Sequence, residues 1–188
     1  MTDEKKTKFA FIITVSLLVG SFLGGYYGRK VSIPESPIIE ADKILNTGTS
    51  DKAQLAKVSD LASLVLATDP KNCKAMMTFA LSLQRRGLTV EAIKQYEKLI
   101  AESDNFSKLS NYNVGALYEL VGQLEDAEIH YNQSIARDPG IPIFWANLIK
   151  LLVKQNKIDE AKSSLESALK VIPTSQELLL LKPLVGMP

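Results

Sequence analysis

Three segments of the chain decide its fold: GLTVEAIKQY at residues 87–96, GQLEDAEIHY at 122–131 and NKIDEAKSSL at 156–165. Each begins with glycine or asparagine, has alanine five residues later and ends with tyrosine or leucine. The first and second segments begin 35 residues apart, and the second and third begin 34 apart. A period of this length indicates copies of one supersecondary unit that stack on one another.

Each copy consists of two apolar-periodic stretches, one on either side of the glycine or asparagine, which predicts a pair of amphipathic helices. Gly87 and Gly122 suit the left-handed turn that ends the first helix of a pair. Acidic residues such as Glu125 and Asp159 begin the second helices, where the helix dipole favours negative charge. Because one pair cannot bury its own apolar faces, neighbouring pairs must stack, and the sequence predicts an all-α fold.

The copies resemble the tetratricopeptide repeat (TPR) family. In the last copy Trp145 and Leu148 match the family's opening aromatic and leucine, Ala161 its small helix-crossing residue and Pro173 its closing proline. The matching residues of the two earlier copies are Met76, Phe79, Ala80, Leu83, Gly87, Ala92 and Tyr96, then Val114, Gly115, Tyr118, Gly122, Ala127, Tyr131 and Pro139. The resemblance implies a TPR superhelix.

A few positions depart from the family pattern. Ile149 and Leu152 stand where a small residue and a tyrosine are usual, Asn111 replaces the opening aromatic and Asp104 replaces a closing proline. A degenerate copy before the first clear one has Val58 in place of the small alanine, which puts the close packing of its two helices in doubt.

We therefore predict a TPR domain over residues 39–173. One degenerate N-terminal repeat covers about 39–72, and three clear repeats cover 73–107, 108–141 and 142–173. Each repeat is expected to contribute one helix hairpin to a single continuous stack.

The last segment, 174–188, is predicted to form a capping helix and tail. Thr174 and Glu177 have capping-box spacing, and four leucines follow at 178–181. The helix would cover the open end of the stack. Four leucines exceed what a cap with a polar outer face needs, so the alternative is that some of them stay exposed for a partner.

A single transmembrane helix is predicted at residues 9–28, between a short tail at 1–8 and a linker at 29–38. The run FAFIITVSLLVGSFLGGYY at 9–27 holds 19 residues without a charge, which span roughly 28 Å as a helix. A signal peptide cleaved near Val19 to Ser21 is the alternative, although the apolar run continues past that point.

The charges around this run set its predicted orientation. Three lysines precede it and Arg29 with Lys30 follow it, a slight bias that favours a cytoplasmic N-terminus and periplasmic repeats in a bacterial inner membrane. The opposite topology is the alternative. A row of small residues at four-residue spacing predicts either helix–helix pairing or a lipid-facing surface, and its members are Ser16, Gly20, Gly24 and Gly28.

The remaining composition excludes several function classes. Residues 1–30 carry +3 of the net charge of +1, so the rest of the chain holds −2, and a nucleic-acid partner is not expected. With one cysteine, Cys73, and one histidine, His130, the chain offers no zinc-ligand spacing and no nucleophile beside a base. We expect no enzymatic activity, no cofactor and no metal, and we expect His130 to face solvent.

The TPR resemblance implies that the first helices of successive repeats line a groove that takes a peptide or helix of a partner. By register the groove residues are Lys74, Met77, Leu81, Gln84 and Arg85; Leu109, Tyr112, Asn113, Ala116 and Glu119; and Ile143, Ala146, Asn147, Lys150 and Lys154. This lining, apolar with cations at both ends, suits a segment that has hydrophobic anchors and a few acidic groups.

Two function classes remain open. The first is an assembly or quality-control factor, a scaffold that holds subunits of a membrane or envelope complex. The second is a permanent structural subunit of a larger membrane machine, such as a secretion or pilus apparatus. A clamp for chaperone tails is argued against, because Met77 and Leu81 stand where that subclass of the family has a cation and an asparagine.

Overall fold

The computed structural model describes residues 36–188, and the statements below concern that range. Nine α-helices and one 3₁₀ turn follow one another in it, and no strand occurs among these residues. The helices are α1 Pro37–Asn46, α2 Lys52–Thr68, α3 Cys73–Arg85, α4 Thr89–Glu102, α5 Asp104–Leu120, α6 Leu124–Arg137, α7 Pro142–Lys154, α8 Ile158–Val171 and α9 Gln176–Leu179, followed by the 3₁₀ turn Lys182–Val185. The predicted all-α class is confirmed for the described part of the chain.

The predicted transmembrane helix at 9–28 and its row of small residues lie outside the described residues. Within 36–188, no helix combines the length and the hydropathy that crossing a bilayer requires.

The helices pack as antiparallel pairs that stack in chain order. Each helix from α1 to α8 contacts the next, and the first helices also contact each other, α1 with α3 and α3 with α5. The largest buried cluster joins α6, α7 and α8 to the C-terminal segment, and smaller clusters lie between the earlier pairs. The predicted stacking follows from these contacts, because each pair covers the apolar face of its neighbour.

The turns inside the three clear repeats share one backbone geometry. Gly87, Gly122 and Asn156 have φ angles of 76°, 81° and 61°, in the left-handed region. The amide three residues past the end of each first helix donates to a carbonyl of that helix, from Leu88 to Leu83 at 3.0 Å and in the same way from Gln123 and Lys157. This bond satisfies a carbonyl that the helix end leaves without an intrahelical partner.

The pairing of small and large residues explains why Ile149 departs from the family pattern. Gly115 lies against the Tyr131 ring, and a Cβ added there would come within 2.8 Å of it. One repeat later two side chains of similar size meet, since Ile149 stands at the register position of Gly115 and Leu165 at that of Tyr131. Both are fully buried in one cluster. The smaller side chain at position 165 leaves room for the larger one at position 149, so a branched residue is tolerated where glycine stands one repeat earlier.

The degenerate first repeat closes in spite of Val58. Val58 and Leu55 of α2 are fully buried with Ala41 of α1. Next to them, the hydroxyls of Ser59 and Ser82 lie 2.7 Å apart and link α2 to α3. The valine is accommodated, so the sequence-based doubt about this packing was wrong.

The C-terminal segment differs from the single capping helix that was predicted. Helix α9 has four residues, and its N-cap is Ser175, whose hydroxyl accepts from the Leu178 amide at 3.4 Å, in place of the predicted Thr174. Leu178 and Leu181 are buried against the stack, whereas Leu180 is 77 % exposed. Pro183 lies in the 3₁₀ turn that follows. Because proline cannot continue an α-helix, the segment covers the stack as two short turns.

His130 was predicted to face solvent, but its side chain is only partly exposed. Its ring stacks on Tyr118, with centroids 5.4 Å apart, and its Nδ1 lies 2.9 Å from the side-chain oxygen of Asn111. Burial lowers the pKa of His130, and the nearby carboxylates of Glu97 and Asp126 oppose this shift in part. The folded protein therefore favours the neutral imidazole.

This shift predicts a loss of stability in weak acid. Since the pKa of His130 is lower in the folded chain than the value of about 6.5 of an unfolded chain, the unfolded chain binds the proton first as the pH falls. We expect the midpoint of thermal unfolding to be constant above that value and to fall below it. The His130→Gln variant should show a flatter profile between pH 7 and 5, and an unchanged slope would contradict the assignment.

Candidate protein-interaction groove

The predicted groove residues form rows across the first helices α3, α5 and α7. Positions that match in register are Lys74, Leu109 and Ile143; Met77, Tyr112 and Ala146; Leu81, Ala116 and Lys150; and Arg85 and Lys154, whose row also contains Leu120, a residue that was not predicted. Most are partly or fully exposed, but Ala146 is fully buried and belongs to the core. One face of each first helix thus offers side chains to a common surface.

The N-terminal end of this surface is covered by α1. The Lys74 ammonium lies 2.7 Å from Asp42, and the Thr78 hydroxyl donates to the same carboxylate at 3.2 Å. Arg85 donates to the Leu45 carbonyl at 2.7 Å, at the end of α1, where the helix dipole favours a cation. Sequence reasoning did not predict these contacts. Both cations are thus engaged within the chain, and a role for Lys74 and Arg85 in binding another protein remains a prediction.

The middle of the surface has a repeated network of tyrosine and amide groups. The Tyr96 hydroxyl donates to Gln84 at 2.7 Å, and the Tyr131 hydroxyl donates to Glu119 at 3.1 Å, one repeat later. Burial raises the pKa of both phenols, so both remain donors at neutral pH. Asn113 and Asn147, each on the next first helix, partly oppose the rise in the pKa of Tyr96 and Tyr131 respectively. The same bond from a second-helix tyrosine to the first helix of its own repeat thus recurs in two successive repeats.

Tyr112 stands between the second and third clear repeats. Its ring stacks on Phe144 with centroids 5.2 Å apart, and its hydroxyl accepts from Asn147 at 3.0 Å. Burial raises the pKa of Tyr112, although the bond from Asn147 opposes the shift. Because the ring is only partly buried, Tyr112 offers an oriented aromatic surface.

An open pocket of about 370 Å³ lies at the edge of the groove and is lined by Ala116, Glu119, Leu120 and Lys154. Lys154 and Glu119 form an ion pair across it at 3.3 Å. Leu120 is 72 % exposed. Sequence reasoning did not select Leu120, but a signal was present, because its matching residues in the neighbouring repeats are the cations Arg85 and Lys154.

The two cations of α7 differ in their contacts. Lys154 is held by Glu119, whereas Lys150 is exposed and has no ion pair or hydrogen bond from its side chain among the residues that the structure describes. The residues at its register position in the earlier repeats, Leu81 and Ala116, are apolar. The C-terminal part of the groove is therefore where a cation remains available.

Over residues 36–188 the structure shows no group of three or more histidine, cysteine, aspartate or glutamate side chains that could hold a metal ion. Cys73 is partly buried, and its thiol donates to the Lys71 carbonyl at 3.5 Å. The arrangement of the groove is suited to binding by apolar contact, hydrogen bonds and charge.

Comparison with known proteins finds no matching family profile and no matching curated protein. Solved structures do match. MamA residues 41 to the end, from Desulfovibrio magneticus RS-1, shares 17% identity over 94% of this chain and 99% of that one, with a TM-score of 0.64. A TPR protein from Parabacteroides merdae shares 17% identity over 81% of this chain and 58% of that one, with a TM-score of 0.68.

A third match is YrrB, described as a TPR protein with an unusual peptide-binding site. It shares 15% identity over 81% of this chain and 74% of that one, with a TM-score of 0.58. At these identities the likeness concerns the fold. The described part of the chain has a TPR-like all-helical fold.

Proposed function

We propose that this chain is a membrane-anchored scaffold whose groove across α3, α5 and α7 binds a segment of a protein partner. The observation that carries the proposal is the open pocket between Ala116, Leu120 and Lys154 beside the partly exposed ring of Tyr112. An oriented, partly exposed tyrosine is typical of interaction surfaces, and the open pocket beside it gives room for a side chain of the partner. The likeness to YrrB, whose description names a peptide-binding site, supports the same reading.

The membrane part of the proposal rests on the sequence. The uncharged run at 9–27 would anchor the chain in a bacterial inner membrane, with a cytoplasmic N-terminus and periplasmic repeats. A tethered groove favours partners in or near the same membrane, because tethering raises their effective concentration. We propose that the partner is a subunit of a membrane or envelope complex and that the scaffold acts in its assembly or quality control.

The alternative is a permanent structural subunit of a larger membrane machine. It is favoured by exposed apolar residues near the C-terminus, namely Val171, Leu180 and Leu184. Extraction in mild detergent followed by sizing at high dilution separates the two functions. A permanent subunit stays in a stoichiometric complex, whereas an assembly factor dissociates.

Photocrosslinking in intact membranes tests the groove directly. A photoreactive amino acid at Leu120, in the groove, is expected to give a discrete adduct with one partner. The matched control is Ile129, which is 53 % exposed on the second helix α6. We expect an adduct at position 120 that is several-fold stronger than at position 129. Equal labelling at the two positions would contradict binding in the groove.

A further inference from the structure

We infer that the partner segment presents a carboxylate to Lys150 and Lys154 and, beside it, an apolar side chain to the pocket between Ala116 and Leu120. This inference rests on the proposed function and specifies the chemistry of the partner. It also locates recognition in the C-terminal part of the groove, on α5 and α7, and leaves the N-terminal cations to α1.

The cations in the N-terminal part of the groove are already bound by residues of α1. Lys74 binds Asp42 at 2.7 Å, and Arg85 binds the Leu45 carbonyl at 2.7 Å. A partner carboxylate at either cation would have to displace a contact that folding already provides. An equivalent acid at the C-terminal end meets no such competition at Lys150.

The two lysines on α7 lie on one helix face and are only weakly engaged by other residues. Lys150 and Lys154 are four residues apart, so they lie on the same helix face one turn from each other. The contact of Lys154 with Glu119 is long for a charged hydrogen bond, at 3.3 Å, and Lys154 is half exposed, which makes the pair weak. If Lys154 turns to a partner, Glu119 keeps its bond from the Tyr131 hydroxyl.

One more carboxylate acts nearby. Glu177 of α9 is exposed. After burial, the negative charge of Glu177 is a further cause that raises the pKa of Tyr112, so Glu177 acts electrostatically on this part of the groove. Glu177 would therefore attract a basic residue of the partner, but Lys150 and Lys154 would repel it. The two lysines share one face and Lys150 has no partner, so charge complementarity favours an acidic segment.

The pocket beside Lys154 can receive an apolar side chain of the partner. The pocket beside Lys154 is open, and Leu120 is 72 % exposed at its edge. A partner side chain of aliphatic type would bury the exposed face of Leu120 and contact Ala116. The distance along α7 from Lys150 to Lys154 is one helical turn, so one partner residue and its near neighbours can reach both the pocket and the lysines.

A peptide library displayed on phage tests the inference, with the full-length chain immobilised in mild detergent as the target. On the wild-type chain we expect enriched peptides to contain aspartate or glutamate next to leucine, isoleucine or phenylalanine. The Lys150→Glu/Lys154→Glu variant is expected to change the enriched charge from acidic to basic. The control is Lys94→Glu/Lys98→Glu, two exposed lysines at the same spacing on α4, which should leave the enrichment unchanged.

A milder pair of substitutions guards against misfolding of the charge-reversed variant. Lys150→Gln/Lys154→Gln removes both charges, and we expect selected acidic peptides to bind it roughly three- to tenfold more weakly, as the loss of two exposed ion pairs implies. Unchanged binding by this variant, or enrichment of basic or uncharged peptides on the wild-type chain, would overturn the inference.

The two proposals fail in different ways. If selected peptides bind in the groove, as shown by loss of binding in Leu120→Asp, but carry no acidic preference, the inference fails and the proposed function stands. If the peptides that bind the wild-type chain bind Leu120→Asp and Tyr112→Ala equally well, the groove is not the binding surface and the proposed function fails with it.

Discussion

Replacing Phe144 with alanine is expected to lower the free energy of unfolding by about 3–5 kcal/mol, the range for large aromatic side chains removed from a core. Phe144 is 1 % exposed and lies in the cluster that joins α6 and α7 to the C-terminal segment. Its ring also supports Tyr112 at a centroid distance of 5.2 Å. The substitution therefore removes both core volume and the support of a groove residue.

The loss should concentrate in the C-terminal part of the stack. A repeat protein is held together by nearest-neighbour interfaces, so a cavity between the second and third clear repeats weakens their junction first. We expect amide hydrogen exchange in Phe144→Ala to increase over residues 142–188 and to change little in α1 to α3. Urea unfolding followed by circular dichroism gives the total loss.

Two controls accompany this experiment. Phe144→Leu retains most of the volume and is expected to cost less than half as much as Phe144→Ala. Leu180→Ala, at a residue that is 77 % exposed, should change the free energy of unfolding by less than about 0.5 kcal/mol. Equal losses for Leu180→Ala and Phe144→Ala would contradict the placement of Phe144 in the core.

Replacing Gly115 with alanine is expected to destabilise the chain by about 1–3 kcal/mol, as overpacking of a core does. The new Cβ would lie 2.8 Å from Cδ1 of Tyr131 and 3.2 Å from the Ala127 carbonyl oxygen. Neither atom can retreat easily, because Tyr131 is buried and the oxygen belongs to a helix backbone. This cost has to exceed the gain of about 1 kcal/mol from replacing glycine in a helix interior.

A double-mutant cycle tests the cause. Shortening the ring with Tyr131→Leu makes room at position 115, and the chain itself supplies the precedent in Ile149 with Leu165. We expect Gly115→Ala to cost at least about 1 kcal/mol less in the Tyr131→Leu background than in the wild type. Additive losses would show that the two residues do not compete for the same space. Stabilisation by Gly115→Ala alone would contradict the geometry.

Contacts within the chain decide whether a charged residue of the groove is available to a partner. In the sequence, Lys74 and Arg85 resemble Lys150 and Lys154 in charge and in lying on first helices, and Arg85 also matches Lys154 in register. In the structure, residues of α1 bind Lys74 and Arg85. Among residues 36–188, Lys154 has one long ion pair and Lys150 has none. Binding energy is therefore expected to come from α5 and α7, where cations and exposed apolar surface lie together.

Several features could be read from the sequence because they depend on local chemistry. The period of the glycine, alanine and tyrosine positions fixed the helix pairs, since helix propensity and amphipathic spacing act within a few residues. The left-handed turns at Gly87 and Gly122 followed from the same pattern, and Asn156 adopts the same backbone region at the matching position. The identity of the groove-lining first helices followed from the resemblance to TPR proteins.

Other features required the tertiary structure, because they depend on which residues meet across helices. The distance along the chain from Lys74 to Asp42, from His130 to Asn111, or from Lys154 to Glu119 contains no signal that these pairs meet. Only the stacking of hairpins brings them together, and it also determines which of four successive leucines are buried. The sequence by itself determined the repeated hairpin, whose causes are local. The tertiary structure decided which cations and apolar side chains remain available to a partner, because availability is what is left after all long-range contacts have formed.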